Sequence, residues 1–583
     1  MDKQSLDNLR HSCAHLLAAA VIELWPNAKR TIGPAIENGF YYDFDFGSEK
    51  ITDEDLAKIE KKMAEILETW ANFTGREVSP KEAKELYKDN MYKLELIDEF
   101  SKEEQKLTIF KSGNYEDLCR GGHTQDPKKN LKYFKLLSIA GAYWRGSEKN
   151  TMLTRIYGTV FPTKKELDDY LWQKEEAKKR DHKKLGKELG LFILSDEVGP
   201  GLLIWAPKGA TIRREIEKLI IEEQVKRGYL HVYSPHIGRK SLWVTSGHWD
   251  LYRDKMYSPM KIDNEDYLVK PMNCPMHMMV YKSALRSYRD LPLRIAENAT
   301  VYRYEQAGEL SGMVRVRYIT QDDSHIFCME DQVIKEFSNV LDYIIYLLKA
   351  FNIKDYYFRL SLRDSKNKEK YLGDDKIWVQ AEEKIESAVK TSHLPYKKVE
   401  GEAAFYGPKL DVMVKDTLGR EWQCGTIQVD FMLPERFKLE YVDNDGKIKR
   451  PVLIHRAPLG SLERWVGLLI EHYAGAFPVW LSPVQVKILP ITDKNLKFAK
   501  SIREELLNKG LRVELDERNA TLQAKIRDAQ VEKIPYMLII GDKEESSKKV
   551  SVRARTGDDL GQMPKEDFIE RVADKIKSKT LDL

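Results

Sequence analysis

Apolar positions recur at three- and four-residue intervals near the start of the chain: Leu6, Leu9, Cys13, Leu16, Leu17 and Val21. That spacing predicts a helix over residues 5–25. Gly33-Pro34 and Glu37-Asn38-Gly39 supply turns, and the aromatic-rich run 40–46 reads as a strand. A second helix is predicted over 53–70, capped by Thr52 with Asp53, Glu54 and Asp55 in its first turn. Thr163 and Glu166 form a capping box ahead of a long, nearly all-charged helix. Its later half is basic: Lys178, Lys179, Arg180, Lys183, Lys184 and Lys187. Such a helix reads as a solvated bridge between domains, with a phosphate-backbone contact as the alternative.

Ile212, Ile216, Leu219 and Ile220 predict an amphipathic helix over 210–227, stopped by Gly228 and followed by a strand at 229–235. Two alternating runs, 301–305 and 314–319, flank a Gly-punctuated loop at 306–312. They predict an antiparallel hairpin, with arginines and a glutamate on one side and a tail carrying Gln321, Asp322, Asp323 and His325. From Pro483 the pattern alternates strand (484–489), helix (495–508), strand (512–515), helix (521–531) and strand (535–540). That order predicts an α/β sheet of mixed strands. The chain thus divides into 1–160, a linker helix at 161–190, a central domain at 191–482 and a C-terminal domain at 483–583.

Size agrees with this division, since 583 residues suggest three to four domains. A hydrophobic fraction of 42% and a charged fraction of 32% are those of a globular protein with sizeable cores. Apolar runs such as 191–194 are far too short to span a bilayer, and the N-terminus lacks the apolar core of an export signal. Five scattered cysteines (13, 119, 274, 328 and 424) argue for a reducing compartment, so a cytoplasmic location is expected. A net charge of +4 leaves nucleic acid open, to be decided by local patches.

The first domain holds the first chemical candidates. His11 and His15 are four apart and share a helix face; Cys119 and His123 are four apart at a Gly-Gly turn. The four make a plausible metal-ligand set. Equally, neutral histidines and a lysine near a water suit general acid–base hydrolysis of an ester without metal, with Lys93 and Asp117 as candidates to join them. Spacing alone does not choose between the two.

The long helix, the strand ending at Pro235, the hairpin with Arg303 and Glu305, and the Gly-rich segment ending in Arg464 resemble the three motifs of the class II aminoacyl-tRNA synthetases. KPMNCPMH (270–277), TQDDSHIFC (320–328), AFYGPKLD (404–411), WQCGTIQVDF (422–431) and LIHRAPLGSLERW (453–465) narrow the resemblance to the threonyl-tRNA synthetase family. HSCAH and CRGGH resemble that family's editing domain, which usually has proline where Gly122 stands. Members commonly begin with a small ubiquitin-like domain, whereas this chain starts at the editing helix.

The resemblance implies an antiparallel-sheet class II catalytic core, an N-terminal α+β editing domain and a C-terminal α/β anticodon-binding domain. The implied reaction joins L-threonine to tRNA(Thr) through a threonyl-adenylate, in a homodimer using ATP, Mg²⁺ and one Zn²⁺ per subunit. It assigns Arg303 to the α-phosphate and the substrate carboxylate, Arg464 to the γ-phosphate and Glu305 to the adenine. Gln423, Thr426 and Gln428 would face the nucleotide or Mg²⁺, and Tyr406 and Lys409 the amino acid. Cys274, His325 and His455, each unremarkable alone, match the family's zinc ligands, with Gln321 and Asp323 beside the threonine hydroxyl. Three ligands leave a position open for substrate.

A site built on a hydroxyl contact rejects valine by about 10⁴ or more, whereas serine lacks only a methyl, worth about 10–200-fold. That gap calls for a second, hydrolytic site, implied at His11, His15, Lys93, Asp117, Cys119 and His123 and working without a required metal. Glu544 and Arg553 fall where anticodon bases would be read, among the basic groups Lys525, Arg527, Lys543 and Arg555. A solvated charged edge is the alternative for them. A prolyl or seryl ligase, a synthetase-like RNA-binding protein without catalysis, and a structural metal protein are the competing readings. No membrane role is expected.

Overall fold

Helix Lys3–Leu24 is the element around which the first of two folding units, Met1–Glu175, is built; the second is Glu176–Leu583. The computed structural model describes residues 2–392, 394–416 and 419–583. Asp2 caps the helix by accepting from the Ser5 N–H at 2.8 Å. Its small residues Ala14, Ala18, Ala19 and Ala20 let neighbours close in, so it is buried almost all round from Leu9 to Val21. Those neighbours are a five-stranded sheet, led by Gly39–Asp45 and Met152–Phe161, and helix Leu56–Leu67. The helix expected over 53–70 is shorter: Asp53–Asp55 is a 3₁₀ turn and Leu67 ends the α-helix. A second sheet, of Thr74–Val78, Leu107–Ser112 and Tyr115–Leu118, carries Asp117 and leads into Cys119.

The charged linker is two helices, not one. Lys164–Arg180 ends and His182–Glu188 begins at Asp181, whose carboxylate accepts from the Lys183 and Lys184 N–H groups at 2.8 and 3.0 Å. A run of charges hid this break, because Asp181 looked like one more solvated side chain.

The second unit centres on an eight-stranded, largely antiparallel sheet. Leu293–Tyr302, Tyr318–Cys328, Val452–Ala457, Glu421–Asp430, Lys409–Lys415 and Tyr356–Leu362 lie side by side in that order. Helices Pro207–Lys226, Val333–Ala350 and Leu462–His472 bury their apolar stripes in its main core. The strand expected at 229–235 contracts to Leu230–His231, parallel to Leu293–Tyr302.

The expected hairpin exists with its ladder displaced. Its strands pair from Leu293↔Phe327 to Tyr302↔Tyr318, so 303–317 is loop. Arg303 and Glu305 lie just past the first strand, and Gln321 to His325 lie within the second. The alternation at 314–317 reflects loop packing: Val314 and Val316 are buried beside a turn closed by Ser311 and Arg315, and Val316 joins the main core.

The C-terminal part is a five-stranded mixed sheet in which Val513–Leu515, Val486–Pro490 and Tyr536–Ile540 run parallel and Lys549–Ala554 and Asp559–Pro564 antiparallel. Two of its basic groups are structural. Lys525 is buried and donates to the Pro490 and Asp516 carbonyls at 3.1 and 3.2 Å, and Arg555 donates to the Phe477 and Ala476 carbonyls at 2.7 and 2.9 Å. Among the described residues no helix is long and apolar enough to cross a membrane.

Candidate active site

Sheet register brings the three predicted metal ligands together. His325 and His455 are direct partners on adjacent strands, and Cys274 opens helix Cys274–Lys282, with Pro275 in its first turn. One donor atom from each lies within 4.8 Å of the others, and all three residues are buried. His455 Nε2 meets Asp430 Oδ2 at 2.9 Å, and His325 Nδ1 meets His277 Nδ1 at 2.8 Å. Each ring therefore keeps its other nitrogen for an ion, with the first held in orientation by a neighbour. Burial pushes the Cys274 thiol well above its ordinary range, so a thiolate there calls for a cation. One sulfur and two imidazole nitrogens in a buried pocket fit zinc with an open position.

The surroundings of this trio are polar and ordered. Asp323 Oδ2 lies 3.8 Å from His325 Nδ1. The Tyr406 ring stacks on His455 with centroids 5.0 Å apart, and its hydroxyl bonds Gln428. His248, which the sequence reading missed, puts Nε2 3.9 Å from Cys274 Sγ. Burial and neighbouring His455 hold its imidazole down to about 3. His277 in turn contacts Glu297 at 3.2 Å, beside buried Lys270 and Asn273.

A cavity of about 340 Å³ is lined by Arg303, Glu305, Gln321, Gln423, Thr426, Gln428 and Arg464, and Gln428 in its wall is the strand partner of His455. Arg464 donates to the Val314 and Gln423 carbonyls at 3.0 and 3.1 Å. Arg303 touches Met272 Sδ at 3.3 Å, and its buried Nε has no partner. Neither guanidinium is neutralised by a carboxylate among the described residues, which suits a pocket for an anion. Glu305 is less free: Lys255 lies 3.0 Å from its carboxylate and Arg315 3.5 Å. Lys409 pairs with Asp411 at 2.9 Å and does not line the cavity. Asp411, fully buried, also accepts from Arg359, Ser361, Gln423 and Thr426. Sequence reasoning missed this hub, although the aspartate ends the quoted run 404–411.

The first unit contains a separate cavity of about 520 Å³. His11 Nε2 is 2.9 Å from Cys119 Sγ, which is 3.4 Å from His123 Nε2. The helical spacing of His11 and His15 and the turn after Cys119 thus bring all four side chains together, with one donor atom of each within 4.8 Å of the others. Burial lowers His11, drives His15 well down and takes His123 to about 3, so the rings are neutral; it raises the Cys119 thiol to about 11. Burial alone would raise Asp117, but Lys93 at 2.7 Å and Arg30 at 3.2 Å hold it well below the usual carboxylate range. The Tyr42, Tyr87 and Tyr115 hydroxyls also donate to it, at 2.5, 3.3 and 3.0 Å. Arg30 and the tyrosines carried no sequence signal, since only the fold gathers them.

In the C-terminal domain the Glu544 carboxylate faces inward. It accepts from the Gly541 N–H, Ser551 and Gln562 at 2.9, 2.7 and 3.1 Å, holding helix Asp542–Ser547 to the next strand. Arg553 lies on that strand and is partly exposed.

Comparison with known proteins fits this geometry. Residues 257–473 match the family model "tRNA synthetase class II core domain (G, H, P, S and T)", and 485–575 match "Anticodon binding domain". The chain is 51% identical to a threonine–tRNA ligase of Deinococcus radiodurans, over 94% of this chain and 85% of the relative. It is 50% identical to that of Geobacillus kaustophilus, over 99% and 88%. In structure it is similar to the RNA binding domain of threonyl-tRNA synthetase from Cryptosporidium parvum Iowa II, with TM-score 0.65 and 37% identity, covering 69% of this chain and 99% of that one. The chain belongs to the threonine–tRNA ligase family, with a class II synthetase core.

Proposed function

We infer that the protein activates L-threonine with ATP and transfers it to the 3′ end of tRNA(Thr). The observation that carries this reading is the pair of un-neutralised arginines, Arg303 and Arg464, in a cavity whose wall residue Gln428 is the strand partner of His455 in the Cys274, His325 and His455 set. The threonine carboxylate attacks the α-phosphorus, the bond to the β-phosphate oxygen breaks and pyrophosphate leaves. Arg303 offsets charge building on the α-phosphate and Arg464 holds the departing end. The terminal tRNA hydroxyl then attacks the adenylate carbonyl and AMP leaves. A zinc ion on Cys274, His325 and His455 would supply an open position for the amino and hydroxyl groups of threonine. Asp323 accepts the hydroxyl hydrogen and Gln321 lies alongside. Tyr406, stacked on His455 and bonded to Gln428, holds that ring in place, and Lys409 acts through Asp411. Glu305 would read the adenine amino group, and Mg²⁺ would arrive with the phosphates, where Gln423, Thr426 and Gln428 offer oxygens.

The first unit serves as a hydrolytic editing site for seryl-tRNA(Thr). Its neutral histidines suit taking a proton from water as that water attacks the ester carbonyl, and the Lys93 ammonium offsets charge on the carbonyl oxygen. The freed tRNA hydroxyl takes up a proton as the acyl–oxygen bond breaks. The C-terminal domain would read the anticodon, with Arg553 facing bases and Glu544 holding the element. A cytoplasmic homodimer completes the reading, supported by exposed Leu230 and Tyr233 (59% and 90%) beside the edge of the sheet. Charging of transcribed tRNA(Thr) with labelled threonine tests it. Stable threonyl-tRNA with no accumulated seryl-tRNA is expected, and failure to charge would overturn it.

A further inference from the structure

We propose that His182 is a positioning residue for the nucleotide pocket. Its ring clamps the turn at the tip of the 303–317 loop to the far end of the Arg464 helix and so sets the affinity for ATP. The proposal rests on the ligase reading above. The sequence marks this stretch only as a solvated, basic linker, yet His182 is buried.

Two bonds define the clamp. His182 Nδ1 is 2.7 Å from Glu471 Oε1, and Nε2 accepts from the Met313 N–H at 3.2 Å. A ring that donates from Nδ1 and accepts at Nε2 is the neutral tautomer. The turn itself is closed by Ser311 N–H to Arg315 carbonyl at 3.1 Å and Val314 N–H to Ser311 carbonyl at 3.0 Å. The Met313 N–H is satisfied from outside, by His182. The carbonyl of the very next residue, Val314, accepts from Arg464 Nε at 3.0 Å, and Arg315 and Val316 line the cavity. Holding Met313 therefore holds the carbonyl that aims Arg464.

The other end of the clamp is equally fixed. Glu471 lies on helix Leu462–His472 two turns beyond Arg464, is buried, and is gripped by Arg420 through its second oxygen. Glycine stands where the parts touch. A Cβ on Gly312, at φ +49, would sit 2.3 Å from His182 Nε2, and one on Gly467 would sit 3.2 Å from Met313 Cβ. Both positions favour close approach of ring, turn and helix.

The test compares His182→Phe, which keeps a ring with neither donor nor acceptor, with His182→Gln, whose Oε1 reaches the Nε2 position. In threonine-dependent ATP–pyrophosphate exchange, His182→Phe is expected to raise KM for ATP about five- to ten-fold, the scale of one hydrogen bond. The threonine KM and kcat should move by less than about two-fold, and His182→Gln should return toward wild type. Equal behaviour of the two variants, or a loss shared evenly by kcat and the threonine KM, would overturn the clamp. Should the Phe variant not fold, hydrogen exchange on the nucleotide-free wild type decides: a protected Met313 amide is expected, and rapid exchange there would overturn it. Absence of exchange activity in the wild type would count against the ligase reading, while the Met313 amide still reports on the clamp.

Discussion

Asp430 meets His455 Nε2 at 2.9 Å, which leaves His455 Nδ1 as the nitrogen available to an ion. Asp430 also anchors the next turn, accepting from the Met432 and Leu433 N–H groups at 2.6 and 3.0 Å. Asp430→Asn keeps those acceptors and removes the charge behind the ring. Zinc affinity should fall about 10- to 100-fold, as for other partners of ligating histidines. Competition with a chromogenic chelator measures this, and unchanged affinity would remove Asp430 from the account of the site.

Much of this site was legible in the sequence because its residues carry unusual chemistry in separated runs: Cys274, His325, His455, Arg303 and Arg464. The hairpin was legible in kind but not in register. Val314 and Val316 mimic strand alternation while packing from a loop, and only the pairing of Tyr302 with Tyr318 reveals where the ladder ends. Asp411, His248, Arg30 and His182 were missed for another reason. Each acts through neighbours distant in sequence, so spacing says nothing of them. Glu544 illustrates the converse: a charge in the expected place is engaged by three internal donors.

Metal content separates the two candidate clusters. Cys274→Ala should leave the protein without bound zinc, because the His11, His15, Cys119 and His123 set is read as working without metal. Elemental analysis after gel filtration reads this directly. One zinc per chain remaining in the variant would assign a metal to the first unit instead.

Asp411 joins Lys409 and Arg359 to the strand that carries Gln423 and Thr426. Asp411→Asn leaves two partly buried cations without a carboxylate, a loss on the order of 3–5 kcal/mol when a buried pair is broken. Urea unfolding should show a lower midpoint, and the ATP KM should rise as Arg359, which also donates to Gln423 at 2.9 Å, loses its carboxylate. An unaltered midpoint would mean that the hub is dispensable.

The hydrolytic site should be separable from synthesis. His11→Ala is expected to leave threonine-dependent exchange within about two-fold of wild type. Deacylation of seryl-tRNA(Thr) should drop about 10²-fold or more, the usual worth of a positioned acid–base group. Deacylation at the wild-type rate would exclude His11 from editing.

The neutral histidines also set a pH dependence. His123 falls to about 3 in the fold against about 6.5 when unfolded. Below 6.5 the unfolded chain therefore binds a proton that the folded chain does not. The His123 contribution is present in full above 6.5 and is lost as pH falls from there toward 3, at up to about 1.4 kcal/mol per pH unit. Thermal melts of wild type and His123→Asn between pH 4 and 7 should converge at acid pH as the wild type loses this term. A constant gap across the range would contradict it.

The central claim is that the Cys274, His325 and His455 pocket selects threonine for activation in the adjoining arginine cavity. ATP–pyrophosphate exchange with zinc-replete protein and a panel of threonine, serine, valine and proline tests it most directly. The expected result is strong exchange with threonine, weaker exchange with serine and essentially none with valine or proline. Exchange with proline or valine at the threonine rate, or none with threonine, would contradict it.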